Sequence, residues 1–156
     1  WAAKEDGDGL LVAPLQETGN WLRWNTADGA VFAATEAGAM PYNSRRPFID
    51  MLGLIDPHIA ALSGTLHQKY DAAYVMERAP DYVVLGVTET GGGLAGTWAP
   101  DRQLLANEAF QDQYEPVHRV QRFMPPENFE TLEPGWMIVY ERLPLTHPAL
   151  EIGNGP

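Results

Sequence analysis

The sequence lacks cysteine, and among its 156 residues only ten are lysine or arginine against 21 that are aspartate or glutamate. The absence of cysteine excludes a disulfide framework and a thiolate metal site. The formal net charge of -11 argues against a protein that binds nucleic acid or an anionic membrane surface, because both functions need a basic face. We therefore expect no nucleic-acid partner.

Long hydrophobic runs are also missing. No apolar stretch approaches the ~20 residues that span a bilayer, and no basic segment followed by an apolar one stands at the start as a signal peptide would. The chain begins with Trp1 rather than methionine, which predicts a mature product or an excised fragment. We expect a flexible lead-in over residues 1–9, a single α/β domain over residues 10–145 and a loose tail over residues 146–156.

The familiar catalytic and cofactor-binding motifs are absent from the sequence. No G-x-S-x-G elbow occurs, and the glycines of residues 91–96 fit neither dinucleotide-binding nor P-loop spacing. A mobile surface loop over residues 88–100 is the interpretation we favour, with a phosphate loop as the alternative. The four histidines are His58, His67, His118 and His147. They are too far apart in sequence to form a zinc motif. We expect no catalytic residue, no cofactor and no metal ion.

One stretch, residues 31–60, organises the rest of the chain. Residues 31–35 form a short apolar run that is typical of a buried strand, and Gly38 follows in a turn. Residues 48–52 form a second such run, and Asp56 followed by proline is typical of the start of a helix. The stretch therefore predicts a strand, a crossover, a second strand and a helix.

The same alternation continues through the chain. Residues 81–87 are β-branched and apolar, and helices are expected after Pro14, Asp71 and Asp101. Such alternation predicts βαβ units with a parallel sheet. The expected fold is a Rossmann-like or flavodoxin-like three-layer sandwich of about five strands. Three of them would be parallel and central, and residues 116–123 and 136–142 would form an antiparallel edge pair.

Polar side chains cluster just beyond the predicted strand and helix ends, so they are expected to meet at one rim. Glu36 with Asp50 would supply paired carboxylates for acid/base chemistry. The alternative is that Asp50 satisfies backbone amides in a turn and that Asp56 is only a helix cap. His67 and Lys69 would bind a sugar or phosphate oxygen, or else pair with Asp50 or Glu36 to hold the loop.

Residues 37–60 and 67–85 also carry motifs of a known group of proteins. The strings AGAMPYNS, IDMLGLIDPHIA, HQK and APDYVVL occur in that order. In this arrangement residues 20–86 resemble the extracytoplasmic C-terminal domain of bacterial polytopic glycosyltransferases of the GT-C type, such as arabinofuranosyltransferases and relatives of protein mannosyltransferases. Asn43 stands where the family usually has a second tyrosine, and Leu66 where it has glycine. The matching residues are Ala37, Gly38, Pro41, Tyr42, Ser44, Ile49, Asp50, Leu52, Gly53, Leu54, Asp56, Ile59, Ala60, His67, Lys69, Pro80 and Asp81.

The resemblance implies an accessory role in cell-envelope glycan synthesis. The catalytic carboxylate and the polyprenyl-phosphate sugar donor would belong to a transmembrane domain of the same polypeptide, preceding Trp1. This chain would lie on the periplasmic face and assist acceptor-glycan recognition or active-site assembly. A free-standing small-molecule-binding or hydrolytic α/β domain and a purely structural docking domain are the alternatives. The candidate ligand-binding residues are Glu36, Tyr42, Asp50, His67, Lys69, Tyr70 and Trp98.

Overall fold

The computed structural model describes residues 2–65, 68–124 and 133–144, and the side chains of residues 12–65, 68–122 and 134–144. No helix in these ranges is long and apolar enough to cross a membrane. The predicted tail over residues 146–156 lies outside the described residues.

The helices are α1 Ala2–Asn25, α2 Ala39–Ser44, α3 Pro57–Ala61, α4 Ala72–Glu77, α5 Ala99–Leu105 and α6 Glu108–Gln113. The strands are β1 Phe32–Ala34, β2 Phe48–Asp50, β3 Tyr82–Thr90, β4 Gly93–Gly96, β5 Tyr114–Met124 and β6 Glu133–Arg142.

The strands form one mixed sheet in the order β2-β1-β3-β6-β5, with β4 paired to β3 beside this path. β1 is parallel to β2 and to β3, whereas β3 is antiparallel to β6, and β6 to β5. β1 pairs with β3 as far as Val84, and β4 pairs with β3 from Val87 onward. β1 and β4 therefore occupy the same side of β3, one after the other.

The prediction of a Rossmann-like or flavodoxin-like, mostly parallel sandwich is wrong. The sheet has six strands and is mostly antiparallel. The parallel strands β1 and β2 have three residues each, whereas β3, β5 and β6 have nine, 11 and ten. β5 and β6 do form the expected antiparallel pair at one edge of the sheet, with β5 outermost and β6 beside β3. The long antiparallel ladders therefore dominate the sheet.

The predicted mobile loop over residues 88–100 is also wrong. β3 continues to Thr90, turns through Gly91 and Gly92, and returns as β4. Gly93 has a φ of 121°, which a residue with a side chain rarely adopts. The glycines therefore serve a tight hairpin that extends the sheet.

Helices cover both faces of the sheet. Successive side chains of β3 point to opposite faces, so each face has its own core. Val83, Leu85 and Val87 pack with residues of α4, α5 and α6. Tyr82 and Val84 belong to a second core, which contains residues of α1 and α2.

The capping residues of three helices can be compared with the sequence. Asp56 and Asp71 cap α3 and α4 as predicted. Asp101 is not the N-cap residue, since Trp98 occupies that position, but as the third residue of α5 it accepts a hydrogen bond from the Trp98 amide. The single helix predicted after Asp101 is divided into α5 and α6, and Asn107 caps the second.

Candidate functional site

Asp50 is the last residue of β2 and is fully buried. Its Oδ1 accepts a hydrogen bond from the Leu52 amide at 3.0 Å, and its Oδ2 accepts one from the Ile55 amide at 2.8 Å. Both oxygens therefore hold the turn that follows the strand. The alternative given for Asp50, a carboxylate that satisfies backbone amides, is confirmed.

Asp56 also serves the local backbone. It accepts hydrogen bonds from the amides of His58 and Ile59 at 3.0 and 3.1 Å, and from the Tyr74 hydroxyl at 2.9 Å. The Tyr74 contact joins α3 to α4. Asp56 is therefore a helix cap with one further structural bond.

The loop between α3 and α4 contains three of the candidate residues. Lys69 Nζ donates to the Ala60 carbonyl at 2.6 Å, so it caps the end of α3 and pairs with neither Asp50 nor Glu36. Burial, and then the charge of Asp71, raise the pKa of Tyr70 to about 12, so its phenol stays neutral. His67 lies outside the described residues.

The remaining candidates are on separate elements. Tyr42 is on α2, and 83% of it is exposed. Trp98 is the N-cap residue of α5, and its backbone amide donates to Asp101 Oδ2 at 2.9 Å. These candidates thus belong to α2, the α3–α4 loop and the start of α5, and their meeting at one rim stays a prediction.

A buried polar cluster lies where β1 leaves β3 and β4 takes its place. Glu36 follows β1 and pairs with Arg122 of β5 at 2.8 Å. Thr97 and Asp101 approach from the start of α5, and Gly86 of β3 provides the room, because a Cβ there would lie 3.3 Å from Thr97 Oγ1. We call Glu36, Thr97, Asp101 and Arg122 the fork cluster.

The electrostatics of the fork cluster depend on burial. Asp101 is fully buried, and desolvation raises its pKa to about 7. Amides of Trp98 and Gly86 lower this pKa, the Glu36 charge raises it and Arg122 lowers it. Within the described part of the chain, Asp101 Oδ1, Thr97 Oγ1 and Arg122 Nε have no hydrogen-bond partner. The cluster thus contains a carboxyl group that changes charge near neutral pH.

Sequence reasoning missed most of this cluster. Arg122 lies two residues after Val120 on β5, so both side chains point to the same buried face of the sheet. An arginine at such a position is the sequence feature that could have indicated a buried ion pair. Asp101 was interpreted as a helix cap, and Thr97 as part of a loop.

In the described ranges, no group of three acidic or histidine side chains is arranged to hold a metal ion.

A cavity of about 630 Å³ lies at the opposite end of the sheet, where β1 and β3 begin. Its polar groups bond to one another. Tyr82 donates to Glu141 at 2.8 Å, and Asp81 accepts from the Val31 amide at 2.9 Å and from Arg142 at 3.4 Å. These contacts tie the strand ends together, so we interpret the residues around this cavity as structural.

The fold and these sites define an α/β domain with a mixed six-stranded sheet whose motif carboxylates are engaged in its own structure. The chain belongs to a family described as a domain of unknown function, DUF8728, which matches residues 9–147. No curated protein and no solved structure matches it.

Proposed function

We propose that this chain is a non-catalytic, extracytoplasmic domain of a membrane glycosyltransferase that uses a polyprenyl-phosphate sugar donor. It would assist acceptor-glycan recognition or active-site assembly, and its partner would be the transmembrane domain of the same polypeptide. The resemblance of residues 20–86 to the C-terminal domains of GT-C enzymes supports this proposal.

The observation that carries the proposal is a division within the matching motifs. The carboxylates of these motifs accept hydrogen bonds from backbone amides of the same chain. They are Asp50, Asp56 and Asp81. By contrast Tyr42 is 83% exposed and Leu54 59%, and Leu54 adjoins Ile55, which is 65% exposed. Exposed apolar side chains of this kind often mark a binding site, because a partner that covers them removes their apolar surface from water. We propose that Tyr42 and the adjacent pair Leu54 and Ile55 together form one docking surface, and we use that name for them below.

The state of the carboxylates favours an accessory role over catalysis. Asp50 and Asp56 bond to amides, Glu36 pairs with Arg122, and Asp101 is fully buried. General acid/base catalysis needs a carboxyl group that reaches the substrate. The contribution proposed here is therefore a surface for the transmembrane domain.

The test measures sugar transfer in membranes that contain the complete polypeptide. Replacing the docking surface by Tyr42→Ala, Leu54→Ser and Ile55→Ser together is expected to lower transfer by about tenfold or more, because central apolar contacts dominate interfaces. The matched control is Leu94→Ser on β4, a leucine that is 46% exposed outside the docking surface. Equal transfer by both variants, with equal protein in the membrane, would contradict the proposal.

The alternative, a free-standing hydrolytic domain, would place its acid/base chemistry at the fork cluster, which would have to open to substrate because Asp101 is fully buried. A carboxyl with a pKa of about 7 beside a second carboxylate is a common acid/base arrangement. The isolated chain would then hydrolyse a nitrophenyl ester or glycoside, and Glu36→Gln would abolish the reaction. Hydrolysis that survives this substitution would remove the cluster from consideration.

A further inference from the structure

A groove of about 360 Å³ lies where the end of α1 meets the end of α2. Three arginines line it in a chain that has only ten basic residues and a net charge of -11. Such local concentration of positive charge against an acidic background favours an anionic ligand. We call this the Trp24 groove, and its lining residues are Arg23, Trp24, Asp28, Arg45 and Arg46.

Arg46 forms a fixed wall of the groove. Its side chain is 7% exposed and pairs with Asp28 at 3.0 Å. Its Nη2 donates to the carbonyls of Arg23 and Thr26 at 2.6 and 2.9 Å, and its Nε donates to Thr26 Oγ1 at 3.0 Å. These bonds hold the last turn of α1 in place, and Asp28 balances the charge of Arg46.

Two further guanidinium groups are not balanced in this way. Arg23 lies over the Trp24 ring, 4.7 Å from its centre. Arg45 is exposed and ends α2 with a φ of 53°, a left-handed conformation that is uncommon for a residue with a side chain. In the described ranges, neither Arg23 nor Arg45 has a side-chain hydrogen bond or an ion pair to a carboxylate. The groove therefore retains two cationic groups beside an aromatic ring.

Trp24 supplies the other half of the recognition chemistry. It is 74% exposed, which leaves a large apolar ring surface accessible to a ligand. The faces of sugar rings carry C–H groups that pack on aromatic rings, and guanidinium groups bind carboxylates and phosphates through charge-assisted hydrogen bonds. We infer that the Trp24 groove binds a saccharide that carries a carboxylate or a phosphate. The sugar ring lies against Trp24, and the anionic group lies between Arg23 and Arg45.

This inference is independent of the docking surface, because the two share no residue and the ligand of the Trp24 groove binds the isolated 156-residue chain. The test therefore gives an answer whether or not the chain belongs to a glycosyltransferase. Failure of the docking test leaves the Trp24 groove unaffected, and the converse also holds.

The test titrates the 156-residue chain with methyl glucuronide, glucose 6-phosphate, neutral methyl glucoside and inorganic phosphate, and follows the tryptophan indole signals by NMR. One or both charged sugars should bind with a Kd of about 1 mM, more tightly than the neutral sugar and inorganic phosphate. Trp24→Ala and Arg45→Gln should each weaken that binding by about fivefold or more. Arg23→Gln provides a second charge variant if Arg45→Gln lowers the Tm.

The chain offers a matched control for the arginine substitutions. Arg119 lies over the Trp136 ring at 4.6 Å, as Arg23 lies over Trp24, so Arg119→Gln removes an arginine of the same kind, and the same charge as Arg45→Gln, from the β5–β6 face. Equal losses in Arg119→Gln and Arg45→Gln would overturn the inference, because they would indicate a nonspecific charge effect. Binding of inorganic phosphate as tight as that of both charged sugars would overturn the saccharide class.

The remaining outcomes also decide. If the neutral sugar binds as tightly as the charged ones, the arginines do not recognise an anionic group, and the inference of an anionic saccharide is overturned. Absence of any indole shift would overturn the site itself. Binding to vesicles of anionic phospholipid that Trp24→Ala abolishes, with no saccharide binding, would assign the Trp24 groove to a membrane surface instead.

Discussion

The two halves of the sheet are stabilised by different means. β1 and β2 are three residues long, and their connections are held by carboxylates such as Asp50 and Asp81 that accept hydrogen bonds from backbone amides. β5 and β6 are 11 and ten residues long and pair along almost their whole length. Short parallel strands form few ladder bonds, so side chains must supply the missing restraint.

This difference changes what a polar motif means. In the short-stranded half, the carboxylates that resemble a family motif have internal partners, so the motif describes how this half folds. A functional contribution is therefore better sought in exposed residues such as Tyr42 and Leu54, and in charged groups without a carboxylate partner such as Arg45. Substitutions in the two halves test the comparison.

The largest effect is expected for Asp50→Ala. The change leaves the Leu52 and Ile55 amides without their acceptors at a fully buried site. We expect the free energy of unfolding to fall by about 3 kcal/mol. Urea unfolding measures this, with the exposed residue Asp112 on α6 replaced by alanine as the control. Similar losses in both variants would show that the carboxylate bonds do not hold the short-stranded half.

A smaller effect with a defined pH dependence is expected for Asp101→Asn. The pKa of Asp101 is about 7 in the folded chain against an ordinary value of 3.8, so the folded state retains a proton that the unfolded state loses. The free energy of unfolding should therefore fall as pH rises from about 4 to about 7 and stay level above that range. Asparagine remains neutral, so the variant should be more stable than the natural chain at about pH 8 and similar to it at about pH 4.

Thermal unfolding across this pH range measures the effect. Asp112→Asn is the control, because Asp112 is exposed on α6 and lies outside the fork cluster. A pH profile of Asp101→Asn that parallels that of the natural chain would show that Asp101 does not titrate between the two states.

The smallest effect is expected in the antiparallel half. Glu115 of β5 lies directly opposite Glu141 of β6, and like charges in that arrangement repel. Glu115→Lys should raise the free energy of unfolding by about 0.5 kcal/mol at low salt, and added salt should remove the gain. A change as large as that of Asp50→Ala would contradict the view that the long ladder holds this half.

Local pattern predicted most of the elements but not the sheet. Apolar runs placed β1, β2 and β3 correctly to within a few residues, because burial and β-branching are local properties. The pairing of β6 with β3 joins residues far apart in sequence, and no local pattern specifies it. The glycines of residues 91–93 favour a loop and a hairpin about equally until the partner strand is known.

The candidate site divides in the same way. The bonding of Asp50 and Asp56 to nearby amides was among the stated interpretations, because both contacts lie within a few residues in sequence. The pairing of Glu36 with Arg122 crosses the sheet and was not foreseen. Arg45 and Trp24 come together only when α1 packs on α2, so their groove was also beyond local reasoning.

The measurement that tests the central proposal most directly is the complete reading frame of the gene that encodes this chain. The proposal predicts several hydrophobic spans of ~20 residues in the same frame, upstream of Trp1. A frame that begins near Trp1, or after a single export signal, would contradict the glycosyltransferase assignment. A free-standing ligand-binding domain would then take its place.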